Sequence, residues 1–222
     1  MNYNWSFAPI FENWQVLAIG AVGTLRLFVI CLVIGMGLGL VVALGRRAEA
    51  RPLRWLSRAF VEVFRNTPVL VQILWFYYAL PILAPVEIGP FTAAILGISL
   101  NSAAYSAEIF RGGIQSIEPG QWEAARAIAM TPAQVMRRVI LPQAVRRIVP
   151  ALTNRGVEIF KMSTLASVVA YVELLNQGKL IASIYFNPLE VYTIIAALFF
   201  LLLYPIVRLT YALERRLARS DA

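Results

Sequence analysis

Hydrophobic residues dominate five stretches of this chain, and polar residues are concentrated between them. The five stretches cover residues 15–44, 60–83, 91–113, 148–172 and 189–212. Each is at least as long as the roughly 20 residues that a helix needs to cross a bilayer. The longest polar-rich interruption is Pro119–Pro142. The pattern predicts an all-α membrane protein with five transmembrane helices, preceded by a short segment 1–14 and followed by a tail 213–222.

Basic residues are distributed unevenly among the connecting loops. The loops after the first, third and fifth stretches hold nearly all of the arginines, whereas those after the second and fourth hold one cation, Lys179. In membrane proteins the loops rich in Lys and Arg stay in the cytoplasm. The distribution predicts an N-terminus on the periplasmic side, a C-terminus in the cytoplasm, and a cytoplasmic position for Pro119–Pro142.

Composition excludes several classes of protein. The chain has 222 residues, of which 59% are hydrophobic, and its formal net charge is +8. Loop topology accounts for this charge better than nucleic-acid binding does. Because there is no His and the single Cys is Cys31, an intrachain disulfide and a His- or Cys-based metal or nucleophilic site are excluded. From these counts we predict no catalytic residue and no metal site. No P-loop lysine motif is present either, so we predict that this chain alone does not hydrolyse ATP.

The first stretch contains glycines at Gly35, Gly37 and Gly39. Gly35 and Gly39 are four residues apart, a spacing that lets a second helix approach closely. A phosphate-binding interpretation of these glycines fails because no strand precedes them and no Gly-Lys-Ser/Thr follows. The same stretch carries Arg26, for which snorkelling towards the outer interface is the simplest expectation.

Two short helices are predicted within Pro119–Pro142. Thr131 is suited to cap the second of them, with Pro132 as its first residue and Gln134 as the reciprocal capping partner. Taken alone, the interruption could be an ordinary alanine-rich amphipathic connector.

Fixed spacings within the interruption resemble the EAA loop of the membrane permeases of binding-protein-dependent ABC importers. The family pattern is Glu-Ala-Ala, three residues, Gly, nine residues, Ile, one residue and Leu-Pro. This chain has the corresponding residues Glu123, Ala124, Ala125, Ala129, Val139, Leu141 and Pro142. The departure at Ala129 bears on the turn between the helices, because a left-handed conformation costs Ala roughly 1 kcal/mol more than Gly. Either this turn is made differently here or the docking is altered.

The EAA resemblance implies a coupling helix that docks into a cleft of a cytoplasmic ATPase. The implied coupling residues are Glu123, Ala124, Ala125, Arg126 and Ala129.

Two further stretches resemble the polar amino acid permeases, the histidine–glutamate–arginine–glutamine group: VEVFRNTPVLVQILWFYYALP and ISLNSAAYSAEIFRGGIQSIEPGQWEAA. This resemblance covers roughly residues 14–212. It implies the type I ABC importer permease fold in the bacterial inner membrane, and a cargo that is a polar or basic amino acid. It also implies a second permease protomer (identical or paralogous), two ATPase subunits that hold ATP and Mg, and a periplasmic amino-acid-binding protein. No cofactor on this chain and no nucleic-acid partner are expected, and lipid surrounds it.

Polar residues inside the predicted spans mark a candidate transport path. Glu158 lies about 15 Å into the fourth span, near mid-membrane, where a buried carboxylate needs a cation. The resemblance implies that Asn101 and Glu158 line the amino acid site, and Ser163 and Thr164 are added as substrate candidates. In the alternative interpretation Glu158 only forms an ion pair, and the sequence leaves its partner open between two cations, Lys161 and Arg155.

Other polar residues are assigned structural or gating roles. Arg65 and Pro68 belong to a predicted helix break, because Pro68 removes an amide donor and leaves a carbonyl that needs another partner. Glu108 and Arg111 are expected to pair near the cytoplasmic mouth. Asn101, Tyr105 and Glu108 follow each other at spacings of four and three, hence along one helix face.

Two other function classes compete with a permease subunit. In an ion-coupled secondary transporter or channel, Asn101 and Glu158 would serve an ion path, but we detect no inverted repeat and five spans do not divide into equal halves. An intramembrane enzyme would have to use Ser/Lys or carboxylate chemistry, since there is no His and one Cys. The identity of the amino acid and the choice between a homodimer and a heterodimer stay open at this stage.

Overall fold

The computed structural model describes residues 5–218, and every regular element in that range is a helix. The predicted segment 1–14 and tail 213–222 therefore lie partly outside the described residues. In chain order the helices are α1 (Ala8–Glu12), α2 (Trp14–Gly45), α3 (Arg51–Asn66), α4 (Val69–Leu83), α5 (Pro90–Gln115), α6 (Pro119–Ala127), α7 (residues 132–162), α8 (Leu174–Tyr185) and α9 (Pro188–Ala218). The predicted all-α fold is confirmed.

Three described helices are long and apolar enough to cross a membrane: α2, α5 and the Pro188–Leu213 part of α9. The predicted spans 15–44, 91–113 and 189–212 fall inside them. A fourth crossing exists if α3 and α4 are counted as one bent span.

The second predicted span is broken. The axes of α3 and α4 meet at 105°, and Thr67 between them has an extended backbone with φ −102° and ψ 132°. Pro68 explains the break, because its ring disfavours helical geometry at the preceding residue and provides no amide donor. The side chain of Gln72 donates to the carbonyls of Phe64 and Thr67 at 2.9 and 2.8 Å. The predicted break and its need for a substitute donor are confirmed.

The fourth predicted span, 148–172, differs from the structure. Helix α7 runs from Pro132–Gln134 through a π-helical turn, Val135–Ile140, into Leu141–Met162. A 3-10 segment, Ser163–Val169, follows it, and Ala170 then adopts a left-handed conformation with φ 57°. The α-helix therefore begins earlier and ends earlier than predicted. Its last turn is shaped by hydroxyl groups that hydrogen-bond to the backbone, which favours tighter geometry.

Helices α2 and α5 form the most extensive helix pair of the described chain. A Cβ added to Gly35 would lie 2.7 Å from Ser102 Cβ, and one added to Gly39 would lie 2.5 Å from Ser106 Cβ. Glycine therefore permits the close approach that the four-residue spacing predicted. The main hydrophobic core lies beside this pair and contains Leu27, Phe28, Cys31, Ile73, Ala94, Ile98, Ile159, Phe160, Ala166 and Val169.

Arg26 has a partner inside the bundle. Its guanidinium lies 4.6 Å from the centroid of the Phe91 ring, and Phe91 stacks on Tyr171 at 5.2 Å. A cation–π contact of this kind stabilises a charge at the edge of an apolar region. It adds a protein contact to the snorkelling predicted for this residue.

Candidate functional site

A polar cavity of about 450 Å³ lies where the α3–α4 break faces α5 and α7. Its walls include the backbone break itself and side chains from both helices: Arg65, Thr67, Asn101, Tyr105, Arg155 and Glu158. The volume falls within the range typical of sites for small molecules. Non-helical backbone is tolerated at membrane depth where it lines such a cavity.

Asn101 joins the helix break to α7. Its side chain is 2% exposed. The Nδ2 atom donates to the Phe64 carbonyl at 2.8 Å, and Oδ1 accepts from Arg155 Nη2 at 2.9 Å. Both ends of the amide are thus used by the protein, so Asn101 positions the cavity wall in addition to lining it.

Arg155 is the buried charge of this cavity, with 3% of its surface exposed. Besides the bond to Asn101, its guanidinium donates to Ser102 Oγ at 3.3 Å and lies 4.4 Å from the centroid of the Tyr105 ring. The Nε atom has no hydrogen-bond partner within the described chain. Sequence reasoning treated Arg155 only as a possible partner of Glu158 and missed it as a cavity residue. The available signal was a cation one helical turn before an intramembrane carboxylate.

Glu158 is not the buried carboxylate that its depth in the span suggested. Its side chain is 58% exposed, and Oε2 accepts from Arg155 Nη1 at 2.6 Å. Of the two cations left open by the sequence, the structure pairs Glu158 with Arg155, not Lys161. The buried member of the pair is Arg155, because its remaining donors bind Asn101 and Ser102. The carboxylate of Glu158 therefore lies at the open cavity.

The structure does not bring Ser163 and Thr164 to this cavity. Ser163 is buried and donates to the Phe160 carbonyl at 2.7 Å, and Thr164 donates to the Lys161 carbonyl at 2.8 Å. Neither residue lines the cavity wall. Both hydroxyls are used at the end of α7, where they support the transition to the 3-10 segment.

Next to the cavity, the carboxylate of Glu108 lies close to three arginines from three helices. Glu108 on α5 contacts Arg111 Nη2 at 2.5 Å, accepts from Arg46 at the end of α2, and lies 4.0 Å from Arg65 Nη1 at the end of α3. The predicted pair between Glu108 and Arg111 is present. Arg65 also belongs to the cavity wall, so this cluster connects the cavity with the arginine-rich ends of the helices.

Helix α6 presents most of the predicted coupling residues on the surface. Glu123, Ala124, Arg126 and Ala129 are exposed. Ala125 is only 4% exposed and packs into a second core with residues of α7, so it anchors the helix and is not part of the free surface. Sequence reasoning missed the most exposed apolar side chain here, Ile128, which is 74% exposed and lies within the motif, directly before Ala129. An apolar residue at a turn was its only signal.

The turn after α6 is left-handed at Ala129, with φ 56°. Ala129 therefore adopts the left-handed conformation that Gly adopts freely, although this conformation is sterically unfavourable for alanine. The predicted capping box follows it and is confirmed: Thr131 Oγ1 accepts from the Gln134 amide at 3.4 Å, and the Thr131 amide donates to Gln134 Oε1 at 2.9 Å.

Two polar contacts tie α6 and the loop before it to α7. Gln143 Nε2 donates to Gln121 Oε1 at 3.2 Å, and Arg147 donates to the Ser116 carbonyl. These contacts join α6 to the helix that carries Arg155 and Glu158.

Three features together are those of a membrane permease: a broken span, a polar cavity at the break, and an exposed helical hairpin formed by α6 and the first turns of α7 (residues 119–142). The hairpin and the cavity share α7. The chain belongs to the family of binding-protein-dependent transport system inner membrane components, which matches residues 35–219. It is therefore an inner membrane component of a transport system.

Curated relatives match nearly the whole chain. It is 36% identical to the L-cystine transport system permease protein TcyB of Bacillus subtilis (strain 168), over 94% of this chain and 89% of that protein. It is 32% identical to the arginine transport system permease protein ArtQ of the same strain, over 98% and 100%. Identity to the glutamine transport system permease protein GlnP of Escherichia coli (strain K12) is 35%, over 98% and 99%.

Solved structures agree with the fold. A crystal structure of an amino acid ABC transporter with histidines superposes with a TM-score of 0.91 at 36% identity, covering 96% of this chain and 100% of that one. The MetNI methionine ABC transporter in an inward-facing conformation superposes with a TM-score of 0.65 at 24% identity, covering 97% and 99%, and supports the fold alone. The predicted type I importer permease fold is confirmed.

Proposed function

We propose that this chain is the permease subunit of an ATP-driven importer that moves amino acids across the inner membrane. The observation that carries the proposal is the direct linkage of an exposed α6 to α7, which lines the polar cavity. The named transport systems of the relatives, for cystine, arginine and glutamine, support amino acids as the class of cargo.

The partners follow from the same proposal. Two cytoplasmic subunits bind ATP and Mg and receive α6, whereas this chain binds no cofactor itself. A second permease protomer, identical or paralogous, completes the membrane unit, and a periplasmic protein delivers the amino acid. The N-terminus is periplasmic and the C-terminus cytoplasmic, as the arginine-rich loops favour.

Coupling is mechanical in this scheme. Closure of the ATPase pair moves α6, and the contacts Gln121–Gln143 and Ser116–Arg147 pass the displacement to α7. The cavity between α7 and the α3–α4 break then changes shape, because Asn101 links its two walls through the Phe64 carbonyl and Arg155. The cluster around Glu108 holds the helix ends together during this movement.

Within the cavity, Glu158 receives an ammonium group of the cargo, either the α-ammonium or that of a basic side chain. Its high exposure leaves one carboxylate oxygen available although the other is paired with Arg155. Arg155 also lines the cavity, and its guanidinium supplies the positive charge for the cargo's carboxylate. A polar or basic amino acid fits a site that offers both charges.

The cavity part of the proposal is tested with Glu158→Gln in the complete complex, reconstituted in vesicles with its ATPase and binding protein. We expect uptake to fall while assembly with the ATPase is unchanged, because the substitution removes a charge without altering shape. Unchanged uptake would leave Glu158 with a pairing role only. Vesicles that lack the ATPase but hold an ion gradient should show no uptake, and uptake there would favour an ion-coupled transporter instead.

The coupling part is tested with Glu123→Lys, which reverses a charge on the exposed face of α6. We expect the variant to insert and assemble, and ATP hydrolysis to continue without uptake. The matched control is Glu118→Lys, which makes the same charge change at the residue before α6, outside the motif. Normal uptake by Glu123→Lys, or an equal loss in the control, would contradict the assigned docking role.

A further inference from the structure

Basic side chains are concentrated at the turn after α2 and in the first half of α3. Arg47, Arg51 and Arg58 are exposed, and Arg54 is half-buried. Among the carboxylates whose side chains the structure describes, none lies within ion-pair distance of these four cations, in contrast to Arg46, which is held by Glu108. The described fold therefore leaves them available to an anionic partner.

Helix α3 carries two stripes with the same spacing. One consists of basic residues separated by three and four positions: Arg51, Arg54 and Arg58. The other consists of apolar residues with the same separations: Leu53, Leu56 and Phe60. A shift of two residues is a rotation of about 200° around a helix, so the stripes occupy opposite faces. An amphipathic helix with a basic polar face is typical of the membrane–water interface.

The apolar stripe faces a groove of about 490 Å³ between α3 and the end of α2. Of the ten residues that line it, Ser57 alone has a polar side chain. The α2 side of the groove includes Val41 and Leu44, which are 63% and 62% exposed, and Leu56 opposite them is 62% exposed. The groove is thus an apolar surface that no other part of the described chain covers.

We propose that α3 and this groove bind an anionic phospholipid of the leaflet on the arginine-rich side of the membrane. An acyl chain occupies the groove, and the phosphate headgroup lies at the polar edge of the groove, where the long side chains of Arg47, Arg51, Arg54 and Arg58 extend towards it. Only an amphiphile with a negative head matches an apolar groove and a cationic stripe on the same helix. The 105° bend lets α3 follow the bilayer surface while α4 enters the bilayer.

Charge favours lipid over a second copy of the chain as the occupant. The chain has 20 basic and 12 acidic residues, so a copy placed here would bring mainly further positive charge. A water-soluble partner would leave the exposed apolar residues of the groove unmatched. The proposal is independent of which amino acid is transported and of how ATP hydrolysis is coupled.

The test is native mass spectrometry of the purified permease–ATPase complex in micelles that contain phosphatidylglycerol and phosphatidylcholine. For Arg51→Gln/Arg58→Gln we expect the affinity for phosphatidylglycerol to fall roughly five-fold for each arginine, about 25-fold in total, with phosphatidylcholine unaffected. The matched control is Arg137→Gln/Arg138→Gln, which removes the same charge from exposed residues of α7. Phosphatidylglycerol should be retained in the control. Equal loss in the control, or no loss in Arg51→Gln/Arg58→Gln, would overturn the proposal.

A second variant tests the groove without touching the arginines. Ala48→Phe places a ring in the groove, and we expect it to displace phosphatidylglycerol although all four cations remain. Competition by inorganic phosphate alone, with no effect of Ala48→Phe, would show an anion site and overturn the lipid assignment. Leu56→Cys tests whether a second copy of the chain occupies the groove. Because the native Cys31 is buried, a disulfide between copies would have to form through the new cysteine. Disulfide-linked copies of that variant would assign the groove to a second protomer.

Discussion

Because α2 and α5 pack closely at Gly39, we predict that adding a side chain there destabilises the protein. A Cβ at this position would lie 2.5 Å from Ser106 Cβ, 2.9 Å from the Ala103 carbonyl oxygen and 3.2 Å from the Ala107 amide nitrogen. Two of these three atoms are backbone, so they cannot rotate away. Gly39→Ala therefore has to push the helices apart, and overpacking of this kind costs about 1–3 kcal/mol. The displacement would also strain the contact between Arg46 and Glu108 at the adjoining helix ends.

Gly37 is the matched control, because it lies on the same helix and takes the same substitution. It is exposed, and no atom lies within 4 Å of an added Cβ. Replacing a glycine by alanine in the interior of a helix stabilises it by about 0.5–1 kcal/mol. The two variants are therefore expected to change the free energy of unfolding in opposite directions.

The assay is the apparent melting temperature of the purified complex in detergent, measured side by side for the wild type and both variants. We expect Gly39→Ala to melt below the wild type and Gly37→Ala to melt at or above it. Equal melting temperatures for the two variants would refute the close packing of α2 on α5, since helix propensity alone affects both positions alike.

Two further predictions concern the hairpin and the cavity. Ala129→Gly removes the cost of a left-handed alanine, which is up to about 1 kcal/mol. The Met130 amide, which donates to the Ala125 carbonyl, should then exchange its hydrogen more slowly. Unaltered exchange would argue against strain in the turn. Asn101→Leu keeps similar volume but removes the hydrogen bond to Arg155, while the Phe64 carbonyl keeps its bond from Gln72. We expect a loss of about 1.5–3 kcal/mol, the contribution of a hydrogen bond to a charged group. A wild-type melting temperature for Asn101→Leu would contradict this clamp.

The arrangement of charges around the cavity suggests why the helix break is polar. Arg65 sits at the end of α3, where it takes part in both the cavity wall and the cluster around Glu108. Arg65 therefore belongs to the cavity and to the charge cluster at the same time.

Local features of this fold were determined by the sequence alone. The apolar stretches predicted α2, α5 and α9, because burial in lipid depends on length and composition. Pro68 predicted the break in the second span, and Thr131 with Gln134 predicted the capping box, because proline geometry and capping act over a few residues. The spacing of the EAA segment predicted which short helix lies exposed.

Other features were decided by tertiary structure only. Hydropathy placed Glu158 at mid-membrane, but the rotation of α7 determined that Arg155 is buried and Glu158 faces the cavity. The packing of α6 against α7 likewise determined that Ala125 is buried, while Ile128 at the end of α6 is exposed. The side of a helix that a polar residue occupies depends on contacts from segments far away in the chain, and no local pattern specifies those contacts.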